Sequence, residues 1–149
     1  MTLCSWYFET FGSDHCVILP RAWLDFLRGE IRLSLGSSYD LPMIELIPES
    51  AFLDRVRVID DSEEWATDNE RRRAKRQFAE QCRWVVVDDQ GRLALPNDWC
   101  DAAGLAPGNE IILAGRDRYA ECWNVENFRL ENQRSDEYWQ PLNEELGLM

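Results

Sequence analysis

The chain contains one histidine, His15, and one lysine, Lys75, so imidazole chemistry has a single candidate and fifteen of the sixteen basic side chains are arginine. It has no Gly-x-x-x-x-Gly-Lys segment to cradle a phosphate and no histidine cluster to bind a metal, so nothing in it supports catalysis. His15 stands between Asp14 and Cys16, but a Cys-His nucleophilic pair needs a mutual orientation that neighbours on one turn do not guarantee. The five cysteines (Cys4, Cys16, Cys82, Cys100, Cys122) are odd in number and widely spaced, with no Cys-x-x-Cys pair. That pattern argues against a disulfide framework or zinc site and for buried thiols. Apolar runs stop at four or five residues, too short for a bilayer span, and the first six residues lack the basic start and long apolar centre of a signal peptide. The expected location is cytoplasmic, with no membrane partner, cofactor or small-molecule substrate implied.

Surplus positive charge is also lacking. The formal net charge is −12, the wrong sign overall for a protein that neutralises phosphates. The distribution is uneven, however: five basic residues crowd into Arg71-Arg72-Arg73-Ala74-Lys75-Arg76, while Asp60-Asp61-Ser62-Glu63-Glu64 and residues 131–145 hold much of the acid. At 149 residues and 45% apolar composition the chain can bury one core, or two small cores sharing an interface.

What is present is a repeat. Val17-Ile18-Leu19-Pro20 recurs in Leu93-Ala94-Leu95-Pro96 at a spacing of 76 residues, which sets Leu19-Pro20-x-x-Trp23 on Leu95-Pro96-x-x-Trp99 and Phe52 on Phe128. Two copies are too few for a solenoid, so the expectation is two related halves packed as a pseudo-dimer. The first half spans 6–58, a connecting helix region 59–81, the second half 82–130 and an acidic tail 131–149.

Local patterns fill in the halves. Residues 6–19, aromatic and β-branched but broken at Gly12-Ser13-Asp14, read as a hairpin. Pro20 opens a short helix with Trp23, Phe26 and Leu27 on one face, closed by Gly29. Strands at Ile31–Leu35 and Met43–Ile47 flank a loop at 36–40, and Pro48 opens a helix through Phe52, Leu53 and Val56. Asp68 or Asn69 caps a helix to about Glu80. In the second half Trp84–Val87 and Arg92–Leu95 are strands around a turn, Asn97 and Gly104 bound a helix, and Ile111–Leu113 pairs with Glu121–Trp123. Beyond Arg129 the pattern suits a frayed helix or a docking tail. Trp23, Trp99 and Trp123 fall at repeat-equivalent or strand positions and favour the core over base stacking.

The turn Asp88-x-x-Gly91-Arg92 has its own logic. Gly91 permits a positive φ, Asp88 can accept bonds from turn amides, and Arg92 starts the returning strand. A guanidinium on such a rigid turn suits a phosphate or a guanine edge; equally, the turn alone reads as a tight hairpin with a local ion pair. The wider pattern is more specific. Val85-x-Val87-Asp88-x-Gln90-Gly91-Arg92-Leu93-x-Leu95-Pro96, Gly104-Leu105, Ile111-Ile112-Leu113-x-Gly115, Arg118-Tyr119-x-Glu121-x-Trp123 and Phe128 resemble the MraZ family of bacterial transcriptional regulators, over roughly residues 6 to 130.

The resemblance implies an α+β, β-rich fold of duplicated SpoVT/AbrB-like halves, of the double-psi-type swapped-hairpin kind, forming a pseudo-dimer with short helices. It further implies ring-like homo-oligomers, a nucleoid-associated place in the cytoplasm, and repression through binding of double-stranded promoter repeats by the Asp-x-x-Gly-Arg turns. Asp88, Gln90, Gly91 and Arg92 are the DNA-binding candidates that carry over. In the first half Gly12-Ser13-Asp14-His15-Cys16 occupies the corresponding place, so the acidic, glycine and arginine positions are all replaced and one DNA-reading turn is lost.

Arg71, Arg72, Lys75 and Arg76 add candidate phosphate contacts. They read equally as a solvated helix face neutralised by nearby Glu63, Glu64, Asp68 and Glu70. Two function classes follow. One is an oligomeric DNA-binding regulator, which requires a positive surface around Arg92; the other is an oligomeric protein-interaction module of the same fold that has abandoned DNA and is acidic there.

Overall fold

The computed structural model describes Leu3 and residues 5–147, apart from the side chain of Asn143. It is a mixed α+β fold in which four helices accompany a six-stranded antiparallel sheet and a separate two-stranded ladder, with no barrel among the described residues. The elements run β1 (Trp6–Thr10), β2 (Cys16–Ile18), a single 3-10 turn (Arg21–Trp23), β3 (Gly29–Ser38), β4 (Leu41–Ile47), α1 (Glu49–Asp61), α2 (Asp68–Glu80), β5 (Cys82–Val87), β6 (Arg92–Ala94), α3 (Asn97–Ala103), β7 (Glu110–Gly115), β8 (Ala120–Asn124) and α4 (Val125–Glu145). No helix among the described residues is long and apolar enough to cross a membrane.

The large sheet has the order β1-β7-β8-β4-β3-β5, and β2 pairs only with β6. Exchanging each strand for its counterpart in the other half (β1 with β5, β3 with β7, β4 with β8) returns the same order read backwards. The registers agree. Val17 lies opposite Leu93 and Glu45 opposite Glu121, each residue facing its own counterpart 76 positions away. Thr10 opposite Glu110 matches Val86 opposite Glu30, with β3 and β7 offset by 80 because the connection after α3 is four residues longer. A twofold relation between halves requires this reciprocity, residue i meeting j wherever j meets i.

Alternation along the strands sends side chains to two faces. Ile31, Leu33, Ile44, Leu46, Ile111, Leu113, Ala120 and Cys122 share one core with Val17, Leu93, Leu19, Leu95, Trp23 and Leu27. On the opposite face Met43, Ile112, Ala114 and Trp123 pack on Phe128 of α4, and Ile47 packs on Ala51 and Phe52 of α1. Trp23 and Trp123 are core residues and Trp99 is packed against the core, while Trp6, Trp84 and Trp139 are exposed. Cys100 and Cys122 are buried, Cys16 and Cys82 half-buried, and Cys4 lies outside the described residues. Burial pushes the Cys100 thiol up to about 11.

Several local expectations are corrected. Residues 6–19 and 84–95 are not hairpins: the chain turns tightly at each site, but β1 leaves to pair with β7 and β5 with β3, while β2 and β6 pair with each other across the halves. The Pro20 helix is only a 3-10 turn, since the shorter connection to β3 leaves no length for the further turn that Gly104, at φ +72°, closes in α3. The expected loop at 36–40 is strand up to a two-residue turn at Tyr39 and Asp40, both with positive φ. Gly36 lies opposite Met43 in that pairing, and a Cβ there would crowd the side chains of Met43 and Glu45. The α2 cap is Thr67, whose Oγ1 accepts from Glu70 N at 3.1 Å while Glu70 Oε2 accepts from Ala66 N at 2.9 Å. Asn97 lies inside α3, with Pro96 at the cap position. Beyond Arg129 the chain is helical, one of the two arrangements expected there, as α4 continues through Pro141 to Glu145.

Two carboxylates, Glu121 and Glu131, are buried, at 4% and 8% exposed. Glu45 and Glu121 face each other directly, a like-charge pairing that destabilises a ladder. Arginines offset it: Arg55 from α1 binds Glu45 with two bonds of 3.0 and 3.2 Å, and Arg116 Nε donates to Glu121 at 2.7 Å, beside Trp123 Nε1 at 3.0 Å. Replacing Arg116 with methionine strands a buried carboxylate and is expected to cost about 3 kcal/mol in urea denaturation, with much of the loss recovered on adding Glu121→Gln.

Candidate functional site

The Asp88–Arg92 turn is built as its residues dictate. Asp88 N donates to Arg92 O and Gly91 N to Asp88 O, each at 3.0 Å, and Asp88 Oδ1 accepts from the amides of Gln90 and Arg92 at 2.9 Å. Gly91 has φ +83°, and a Cβ there would lie 3.0 Å from Leu24 Cδ2 and 3.2 Å from Leu19 O. The turn delivers Arg92 to the first position of β6. Leu93 points into the core, and Arg92 and Ala94 point outward.

The first-half turn keeps this backbone with none of the same side chains. Gly12 N donates to Cys16 O at 3.0 Å and His15 N to Gly12 O at 3.1 Å, the same two bonds 76 residues earlier. His15 takes the left-handed conformation of Gly91, with φ +60°. The acceptor has moved two places along the chain: Asp14 Oδ1 takes the amide of Cys16 at 3.1 Å, where Asp88 Oδ1 takes that of Arg92. An aspartate at position 12 is incompatible with this arrangement, since a Cβ on Gly12 would stand 2.8 Å from Asp14 Oδ1. Leu19 N donates to Gly91 O and Leu95 N to His15 O, both at 2.9 Å, so each turn is tied to the other half.

The two turns thus flank the short β2–β6 ladder, and Arg92 reaches across it. Its Nη2 bonds Asp14 Oδ2. Cys16 and Asp14 hold the Arg92 guanidinium above its ordinary range. Slight desolvation pushes the Asp14 carboxyl up, but the Cys16 amide and the Arg92 charge outweigh it and hold the group below its usual value. Asp89 is 3.6 Å from Arg28, with both side chains mostly exposed. His15 packs edge-on against Phe11, with ring centroids 5.7 Å apart.

Asp88, Gln90, Gly91 and Arg92 therefore form one unit, and the arginine cluster is not part of it. α2 ends where β5 begins, and the turn lies past the far end of β5, a strand about 20 Å long. On α2, Arg71 pairs with Asp68 at 3.0 Å and Lys75 with Asp60 at 2.9 Å, while Arg72 and Arg76 are exposed. Asp14 is the residue that sequence reasoning passed over. Its signal was an aspartate two residues before the strand, placed to accept that strand's first amide.

The turn geometry makes unequal demands on its two left-handed positions. Gly91→Ala is expected to destabilise the protein by about 2 kcal/mol, from the positive φ and the contact with Leu19 and Leu24, whereas His15→Gly is expected to be neutral or slightly stabilising. Thermal unfolding of the two variants checks this. No family model matches the chain, and no curated protein does.

Proposed function

We propose that this protein is a transcriptional regulator of the MraZ type: a pseudo-dimer of duplicated SpoVT/AbrB-like halves that forms homo-oligomers and binds repeats in double-stranded promoter DNA through the Asp88–Arg92 turn of each subunit. The observation that carries this reading is the presentation of Arg92. The side chain stands on the outer face of a ladder lying across the pseudo-twofold relation, its backbone held by Asp88 and by the left-handed Gly91. The strand order that reads the same from either edge supports the duplicated architecture.

One arginine per subunit gives weak binding, and a net charge of −12 opposes it, so useful affinity comes from several turns acting together. The sheet edges suit assembly. β1 exposes Trp6 and Phe8, and β5 exposes Trp84 and Val86, apolar side chains on the strands that end the sheet among the described residues. Light scattering is expected to give an oligomer at micromolar concentration; a monomer alone would overturn that part of the reading.

A specific observation favours the second reading, a protein-interaction module of the same fold. Arg92 is paired with Asp14 and Arg28 with Asp89, so each of these two arginines at the turns has a carboxylate partner. The experiment that separates the two is a salt-titrated anisotropy assay with duplex DNA from upstream of the protein's own gene. Arg92→Ala is expected to weaken binding by about ten- to a hundred-fold, with little change in thermal stability. If Arg92→Ala binds as the parent does, or the parent shows no salt-dependent affinity, the interaction-module reading replaces the regulator.

A further inference from the structure

Asp14 divides its two carboxylate oxygens between two tasks. Oδ1 takes the amide of Cys16 and so replaces the aspartate missing from position 12 as the acceptor that closes the first-half turn. Oδ2 faces the guanidinium of Arg92, 78 residues away in sequence. The second contact is a consequence of the first: the acceptor sits two positions further along the turn, which brings its free oxygen over the outer face of the ladder. Both partners are about half exposed, so neither is locked in place by packing.

We propose that Asp14 is an intramolecular competitor for the DNA-reading arginine, a carboxylate that occupies the guanidinium of Arg92 and must be displaced before a phosphate or base edge is bound. On this view the first-half turn has been converted from a second reading element into one that sets the threshold for the remaining one. The proposal rests on the regulator reading above and adds a determinant of its affinity.

The size of the effect follows from exposure. A solvated ion pair of this kind contributes a factor of about five at most, so displacement lowers the affinity of each turn without abolishing it. Across an oligomer the factors multiply over every turn engaged, so the penalty grows with the number of turns bound. Lone phosphates offer no more than the carboxylate already does, whereas a bidentate guanine edge adds two directed bonds.

The test uses Asp14→Asn, which keeps an amide oxygen for Cys16 N but removes the charge facing Arg92. Parent, Asp14→Asn, Arg92→Ala and the double variant are titrated against the upstream duplex and a scrambled duplex of equal length. Thermal unfolding is run alongside. Asp14→Asn is expected to bind tighter than the parent by about two- to five-fold for each turn engaged, with a melting midpoint lowered by no more than a few degrees, and the gain is expected to vanish in the Arg92→Ala background. A gain that persists without Arg92 is a general charge effect and overturns the proposal. If Asp14→Asn binds as the parent does while Arg92→Ala weakens binding, competition is refuted and the regulator reading stands. If none of the four proteins binds either duplex, both fall together.

Discussion

The structure depends on two antiparallel pairings in which a residue meets its own counterpart: Val17 with Leu93 in the small ladder, and Glu45 with Glu121 in the large sheet. Strand pairing at these two places commits every other contact between the halves. Once β4 and β8 are in register, β3 and β7 are fixed on their outer sides, and β5 and β1 close the two edges. Once β2 and β6 are in register, the two turns are brought to the same short ladder. Neither half can complete its own core. Val17 and Leu93 lie in one cluster with side chains from both.

The same pairing carries a cost at the centre. Two glutamates placed opposite each other repel, and one of them is nearly without solvent. The arginines that offset this come from unlike places, Arg55 from a helix and Arg116 from the β7–β8 turn, where it also lies 3.6 Å from Glu131. The halves therefore agree in backbone and differ in how they stabilise it. The turns repeat that lesson at the surface, with Asp88 and Asp14 closing the same hydrogen-bonded loop from different positions.

For function, the decisive difference is where the spare carboxylate oxygen goes. In the second-half turn both side-chain bonds of Asp88 stay within the turn. In each turn the Oδ2 of the aspartate takes no turn amide, and in the first-half turn that oxygen meets the arginine of the other turn. The two turns are thus alike in backbone and unlike in the charge they present. The degraded turn still acts on its neighbour through charge.

The sequence by itself determined the repeat of 76 residues, the α1, α2 and α3 helices to within a few residues, the left-handed glycines at 91 and 104, and the pairing of β7 with β8. Each of these rests on local chemistry: proline at a helix start, glycine where φ is positive, and strands joined by a short connection. Only the tertiary structure decided that residues 6–19 and 84–95 split between partners, because an alternating pattern says which face of a strand is buried and nothing about which strand lies beside it. It likewise decided the burial of Glu121, the separation of the α2 arginines from the turn, and the contact of Asp14 with Arg92. Those are meetings of residues far apart in the chain, and their geometry comes from the sheet that brings them together.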